Sequence, residues 1–116
     1  MTATVSDDRL DATYAALGDR TRRRILARLA HGEATVNELA APFDMSLQAV
    51  SQHIHVLERA GLISRTRDRQ KRPCRLEVDA LRDATAWIDQ QRALWTDRLD
   101  QLEQHLVHLQ RDGKKR

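Results

Sequence analysis

Five side chains in the middle of the chain have the chemistry of base edges. Gln48, Ser51, Gln52, His55 and Arg59 recur at spacings of three and four, which puts them on one side of a helix. Amides pair bidentately with adenine, and hydroxyls both donate and accept. A face that meets only water ordinarily carries Lys and Glu. This one is mostly uncharged over its first two turns, and its rival reading is a plain polar surface. The other side of the stretch carries Val50, Ile54 and Leu57 at four and three, with Ala49 and His53 alongside, the pattern of a buried helical stripe. Ser46 is a natural N-cap, and Gly61 a natural residue for the left-handed turn that ends a helix. Residues 45–61 thus read as a helix laid into a DNA major groove.

Other residues that could do chemistry are few. The chain has one cysteine, Cys74, so no internal disulfide forms. In an alternating strand it reads as a small packed side chain rather than a redox sensor. His105 and His108 are neighbours on a helix but lack a second pair of ligands, so they read as solvated residues. There is no Gly-rich phosphate loop, no nucleophile with a base beside it, and no acid pair with a reason to be buried. An enzyme is therefore not expected, nor a metal or cofactor.

At 116 residues the chain reads as one domain, 1–116. Aromatics are 3%, so the core must come from Leu, Ile, Val and Ala. The net charge is only +3, and its distribution says more. Residues 62–78 hold six Lys or Arg against two acids, while residues 79–112 hold four against seven. That asymmetry predicts a basic contact surface beside a helix with a different task. The sequence has no run of eighteen apolar residues and no apolar signal core near Met1, so a cytoplasmic protein away from membranes is expected.

The elements that must position the central helix follow in order. Ser6 or Asp7 caps a first helix through Leu17, with Leu10, Tyr14 and Leu17 on one stripe and Gly18 as its stop. A second helix starts at Asp19 or Thr21, turns Ile25, Leu26 and Leu29 inward, and ends at Gly32. Its arginines at 20, 22, 23, 24 and 28 suit either phosphates or acids on another helix, with acids favoured. Thr35 and Glu38 fit a capping box that opens a short third helix reaching about Phe43. Two short helices, a tight turn and a polar-faced second helix make a helix-turn-helix.

Beyond Gly61 the chain alternates. Leu62, Ser64 and Thr66 point one way and Ile63, Arg65 and Arg67 the other; residues 74–78 alternate back, giving a β-hairpin. Its tip holds Arg67, Arg69, Lys71 and Arg72, suited to phosphates or a minor groove. The last helix runs from about Asp79 to Gly113. Leu81, Thr85, Ile88, Arg92, Trp95, Leu99, Leu102, Leu106 and Leu109 alternate at four and three, a heptad seam over about four heptads. A helix some 50 Å long, at about 1.5 Å per residue, cannot bury that seam on so small a body. Its copy in a second subunit is the simplest partner. Trp87 and Leu94 lie off the seam and are expected to pack on the body or the first helix.

From about Leu10 to Leu109 the chain resembles the ArsR-type (ArsR/SmtB-like) winged helix-turn-helix repressors. The matching stretches are A-L-G-D-R-T-R-R-R-I-L-A-R-L-A, V-N-E-L-A, M-S-L-Q-A-V-S-Q-H-I-H-V-L-E-R-A-G-L-I and the basic hairpin. The resemblance implies a mainly α fold of five helices with a β-hairpin wing. It implies a homodimer joined through the first and last helices, a two-fold symmetric operator, and repression of the repressor's own operon. Carried over by position, Leu47, Gln48, Ser51 and Gln52 face bases, although Leu47 stands where a polar residue is common. The wing, Arg67 through Arg72, lies on the phosphate backbone, and the backbone contacts expected here are Ser46, His55, Arg67, Arg69, Lys71 and Arg72. Leu10, Tyr14, Ile88, Trp95, Leu99, Leu102 and Leu106 form the dimer interface. The family's metal sites do not carry over. Its thiolate pair falls on Ala40 and Pro42, which excludes thiolate ligation there. Its last-helix site needs ligands near Arg92 and Leu94, which supply none. Sensors of persulfides in the family use two cysteines.

The expectation is a homodimeric, sequence-specific transcriptional repressor of double-stranded DNA. Two rivals belong to other classes: a sensor whose main business is a small molecule, and an interaction module whose seam pairs with a different protein. The sequence is silent on any inducer.

Overall fold

The computed structural model describes residues 7–66 and 71–114. Five helices and one hairpin follow in the order α1 (Asp7–Leu17), α2 (Arg20–Leu29), α3 (Val36–Ala40), α4 (Leu47–Arg59), β1 (Ile63–Arg65), β2 (Cys74–Leu76) and α5 (Asp79–Lys114). The chain divides after Ala84 into two compact units.

The first unit is built from short helices with well-made ends. Asp19 caps α2, its Oδ1 accepting from the Thr21 and Arg22 amides at 2.8 and 3.1 Å. Thr35 and Glu38 close the expected capping box on α3. The Ser46 hydroxyl accepts from the Ala49 amide at 3.1 Å and opens α4. At the far end of α4, the Leu62 amide reaches back to the Leu57 carbonyl and the Gly61 amide to Glu58, both at 3.0 Å. Gly61 has φ 78° there, so this is a Schellman end that only glycine enters without strain. The core lies between the helices: Ile25, Leu26, Leu29, Leu39, Val50, Ile54 and Leu57 are buried, with Leu62, Ile63, Cys74 and Ala80 closing it from the hairpin side.

Some expectations needed correction. Helix α3 ends at Ala40, short of Phe43. Leu62 belongs to the end of α4 rather than to a strand, and both it and Ile63 are buried. In α1 the fully buried side chains are Thr13 and Ala16, whereas Leu10, Tyr14 and Leu17 are only half-buried. Small residues let α1 sit close to its neighbours, and the Thr13 hydroxyl is satisfied within the helix by the Arg9 carbonyl at 3.0 Å. Among the described residues, the arginines of α2 make no ion pair with an acid. Arg22 Nε and Nη2 donate to the carbonyls of Ala16 and Ala15 at 2.8 and 3.1 Å. Arg23 donates to Leu17 at 2.8 Å, and Arg28 to Gly32 at 3.2 Å. The last carbonyls of a helix have no partner of their own and sit at its negative end. For a cation one short loop away they are nearer acceptors than any carboxylate.

The hairpin is antiparallel, pairing Ile63 with Leu76, Ser64 with Arg75 and Arg65 with Cys74. Cys74 also exchanges two hydrogen bonds with Ala34, at 3.1 and 2.7 Å, which fastens the wing to the loop between α2 and α3. The Ser64 hydroxyl donates to Glu77 Oε1 at 2.6 Å. Arg72, with φ 37°, is a non-glycine residue in the left-handed region. The start of α5 is held on α1 by the Tyr14 hydroxyl, which donates to the Ala84 carbonyl at 2.7 Å, and by an Arg9–Asp83 ion pair at 3.5 Å.

The second unit is the rest of α5, a single helix. Its seam residues Ile88, Trp95, Leu99, Leu102, Leu106 and Leu109 are all exposed, Trp95 at 69% and Leu99 at 61%. Leu94, expected to pack, is 60% exposed, and Trp87 is 46% exposed. Among the described residues no helix is long and apolar enough to cross a membrane.

Candidate nucleic-acid interface

Helix α4 is locked by its apolar side. Val50, Ile54 and Leu57 are buried to 2% exposure or less, which fixes the helix's rotation about its axis. A polar contact fixes it further. Arg22 Nη1 lies 3.3 Å from His53 Nδ1; guanidinium has only donors, so Nδ1 must accept. The same guanidinium is anchored on α1 through Ala15 and Ala16. One side chain thereby ties α1, α2 and α4 together. Asp19 stands 3.9 Å from the same imidazole nitrogen. The Arg22 amide bond holds the Asp19 carboxyl below its ordinary range, with His53 and the Thr21 amide adding to the effect.

The face turned outward carries the residues expected to read DNA. Ser46, Leu47, Gln48, Ser51, Gln52 and His55 are all exposed, Leu47 at 50%. At about 100° per residue, positions 47 to 55 on this face fall within an arc of roughly 140°. Among the described residues, none of Gln48, Ser51 and Gln52 has a hydrogen-bond or ion-pair partner for its side chain, so their donors and acceptors are available. His55 has only a loose approach to Glu58, at 3.9 Å. Arg59 is exposed one turn further on.

The wing brings its own cations to this face. Lys71 and Arg72 are exposed, whereas Arg67 and Arg69 lie outside the described residues. Lys71 shares a cleft of about 420 Å³ with Leu47 and Ser51 of α4. The cleft also contains residues that sequence reasoning did not place there: Asn37 on α3, and Arg65 on β1. Arg65 was legible as a residue on the inner side of an alternating strand, where an arginine is out of place. Arg22 carried a similar signal, because it shares the helical stripe of Ile25, Leu26 and Leu29.

The remaining candidates sit apart. Cys74 is fully buried, and burial pushes its thiol up, against the opposing pull of the Arg65 guanidinium. His108 pairs with Asp112 at 3.4 Å on the exposed helix. Among the described residues no three His, Cys, Asp or Glu side chains gather to hold a metal ion.

A short helix bundle, a capped helix with a free polar face and a two-stranded basic wing together define a winged helix-turn-helix. The model for a helix-turn-helix domain matches residues 17–66. The chain is 32% identical to the transcriptional repressor SdpR of Bacillus subtilis over 68% of its own length and 88% of the relative's. It is also 41% identical to an ArsR family transcriptional regulator of known crystal structure, with a TM-score of 0.73 over 78% of this chain and 94% of that one. The chain belongs to the ArsR-type winged helix-turn-helix regulators.

Two mycobacterial proteins are also similar. The HTH-type transcriptional regulator Rv2034 of Mycobacterium tuberculosis is 51% identical over 53 residues; that match covers 46% of this chain and half of the relative's length. The solution structure of the homodimeric winged helix-turn-helix DNA-binding domain of Mb0332 from Mycobacterium bovis superposes with a TM-score of 0.59 at 27% identity, over 80% of this chain and 94% of that one. The relatives and the fold are those of transcriptional regulators rather than enzymes.

Proposed function

We propose that this ArsR-type regulator is a sequence-specific repressor that binds double-stranded DNA as a homodimer on a two-fold symmetric operator, including that of its own operon. The observation that carries the reading is the state of α4. Its apolar side is locked in the core, while Gln48, Ser51 and Gln52 stand exposed with unspent hydrogen-bonding groups. In this reading Leu47 and these three residues contact base edges. Ser46, His55 and the wing residues Arg67, Arg69, Lys71 and Arg72 contact the phosphate backbone, which supplies most of the affinity.

Repression is supported by the name of the Bacillus relative, and a homodimer by the Mycobacterium bovis domain. The exposed seam of Ile88, Trp95, Leu99, Leu102 and Leu106, with Leu10 and Tyr14 on α1, is the surface assigned to the second subunit. Residues 79–112 then serve as the dimerisation helix of a single DNA-binding domain. Two recognition helices so joined sit about 34–36 Å apart, one turn of DNA. A repressor of this kind works in the cytoplasm, where its operator is.

The test is a titration of the full chain on the DNA upstream of its own gene and on scrambled DNA, at two salt concentrations and with and without zinc. Tight, salt-sensitive binding that prefers the upstream DNA and ignores zinc is expected. Equal binding to both DNAs at every salt would overturn the sequence-specific reading, and release by zinc would overturn the metal-independent one.

A further inference from the structure

Helix α2 carries a row of arginines with no acid against it. Arg20, Arg24 and Arg28 follow at intervals of four, so they stand one above another on one side of the helix. All three are exposed, and among the described residues none makes an ion pair with an acid. Arg28 spends one nitrogen, Nη1, on the Gly32 carbonyl at 3.2 Å. Among the described residues the Arg24 side chain has no hydrogen-bond or ion-pair partner. Like charges four apart on a helix oppose its formation, so the row carries a cost that an anion would relieve.

Arg24 and Arg28 border a cleft of about 410 Å³ between α2 and the end of α3, a size within the range of small-molecule sites. Ile25 and Leu39 lie under it as a closed floor, both buried. Its reachable apolar surface is the exposed Pro42 ring and the half-buried Phe43. Glu38 also lines the cleft. Its Oε1 is already taken by the amide and the hydroxyl of Thr35, at 3.2 and 3.0 Å. Two guanidinium groups against one carboxylate leave the cleft one positive charge in excess.

We infer that this cleft binds a small organic acid with one carboxylate and an aromatic body. The carboxylate would lie across the Arg24 guanidinium, whose fork offers it two parallel donors, with the spare nitrogens of Arg28 one turn along. Its single charge matches the excess. The aromatic body would lie on Pro42 and Phe43, held by its removal from water and by ring contact with Phe43. A bare anion lacks that body, and a neutral ring leaves the arginines uncompensated. Among the described residues neither α4 nor the wing lines this cleft. The site is therefore separate from the face assigned to DNA and stands whether or not that face reads bases.

The test is a titration of the nitrogen-15-labelled full chain, followed by the amide signals of each residue. Three probes are compared at matched ionic strength: 3-phenylpropionate, the neutral 3-phenylpropan-1-ol, and acetate. Phenylpropionate is expected to shift the amides of residues 24–28 and 38–43 and to saturate at millimolar concentration. The alcohol and acetate are each expected to bind about tenfold or more weakly, since each lacks one half of the recognition. Arg24→Gln should weaken phenylpropionate by about tenfold or more and melt as wild type does, because it removes no bond inside the fold. Arg20→Gln, on the same row but outside the cleft, should bind as wild type does. Equal binding of acetate would show attraction to charge alone, and equal binding of the alcohol an apolar patch without carboxylate recognition; either overturns the inference. So would shifts centred on another element, or no saturation by phenylpropionate at millimolar concentration. Equal losses in Arg20→Gln and Arg24→Gln would make the effect a diffuse charge and overturn it as well. The comparison of the three probes on wild type decides the claim even if a variant fails to fold.

Discussion

Arg22 Nη1 lies 3.3 Å from His53 Nδ1, and the same guanidinium donates to the carbonyls of Ala15 and Ala16. Helix α4 is therefore braced against α1 by an arginine of α2. The bond requires an unprotonated Nδ1 on His53. Replacing Arg22 with Met keeps the stem and removes three bonds. The expected cost is about 1.5–3 kcal/mol of stability, the range for hydrogen bonds to charged groups, read by urea denaturation. Selectivity for upstream over scrambled DNA should fall as α4 loosens. Unchanged stability would show that the carbonyls find other partners.

The two ends of α4 set its length and entry angle. Ser46→Ala removes the acceptor of the Ala49 amide and should cost about 1 kcal/mol. Gly61→Ala places a Cβ at φ 78°. The space around it is open, so the penalty is backbone strain alone, also about 1 kcal/mol. Equal melting temperatures for wild type and Gly61→Ala would mean that the Schellman end relaxes without cost.

Two helix caps make stability depend on acid. Asp19 and Glu38 are both held below their ordinary values of 3.8 and 4.5. A depressed carboxyl stabilises the fold fully above its unfolded value and loses that contribution as pH falls through the folded one. The melting temperature should therefore hold steady above about pH 5 and fall in the acid range below the ordinary carboxyl values. Asp19→Asn keeps a cap oxygen and removes the charge, so its acid-side fall should be smaller. Identical acid profiles for the two proteins would clear Asp19 of the effect.

Much of the first unit was legible because its signals are local. Caps, the stop at Gly61 and the two faces of α4 each need only a few neighbouring residues. The misses involve contacts that no spacing rule reports. Thr13 and Ala16 are buried, in place of Leu10 and Tyr14, because α1 packs closely, and no periodicity reports closeness. The arginines of α2 were assigned to acids by composition, whereas the nearest acceptors are carbonyls that any helix end presents. The Ala34–Cys74 bridge has no sequence signature. In the candidate site, the polar face of α4 was readable from spacing. The Arg65 cleft was not, because it forms only where α3, α4 and β1 meet.

The seam of α5 predicts its own disruption. Leu99 is 61% exposed in the single chain, a costly arrangement that a second copy would relieve. Leu99→Asp would bury a carboxylate in any such seam. Sedimentation should show wild type at twice the monomer mass and Leu99→Asp shifted toward the monomer, with weaker DNA binding. A wild-type monomer at micromolar concentration would contradict the dimer and turn attention to a different partner for the helix.

The central claim is that the outward face of α4 reads bases, and Gln52→Ala measures it most directly. The variant and wild type are to be titrated on upstream and on scrambled DNA at one salt concentration. The account predicts a loss of about 1–3 kcal/mol on upstream DNA, as for a bidentate base contact, and little change on scrambled DNA. Equal losses on both would contradict a base-reading role for Gln52.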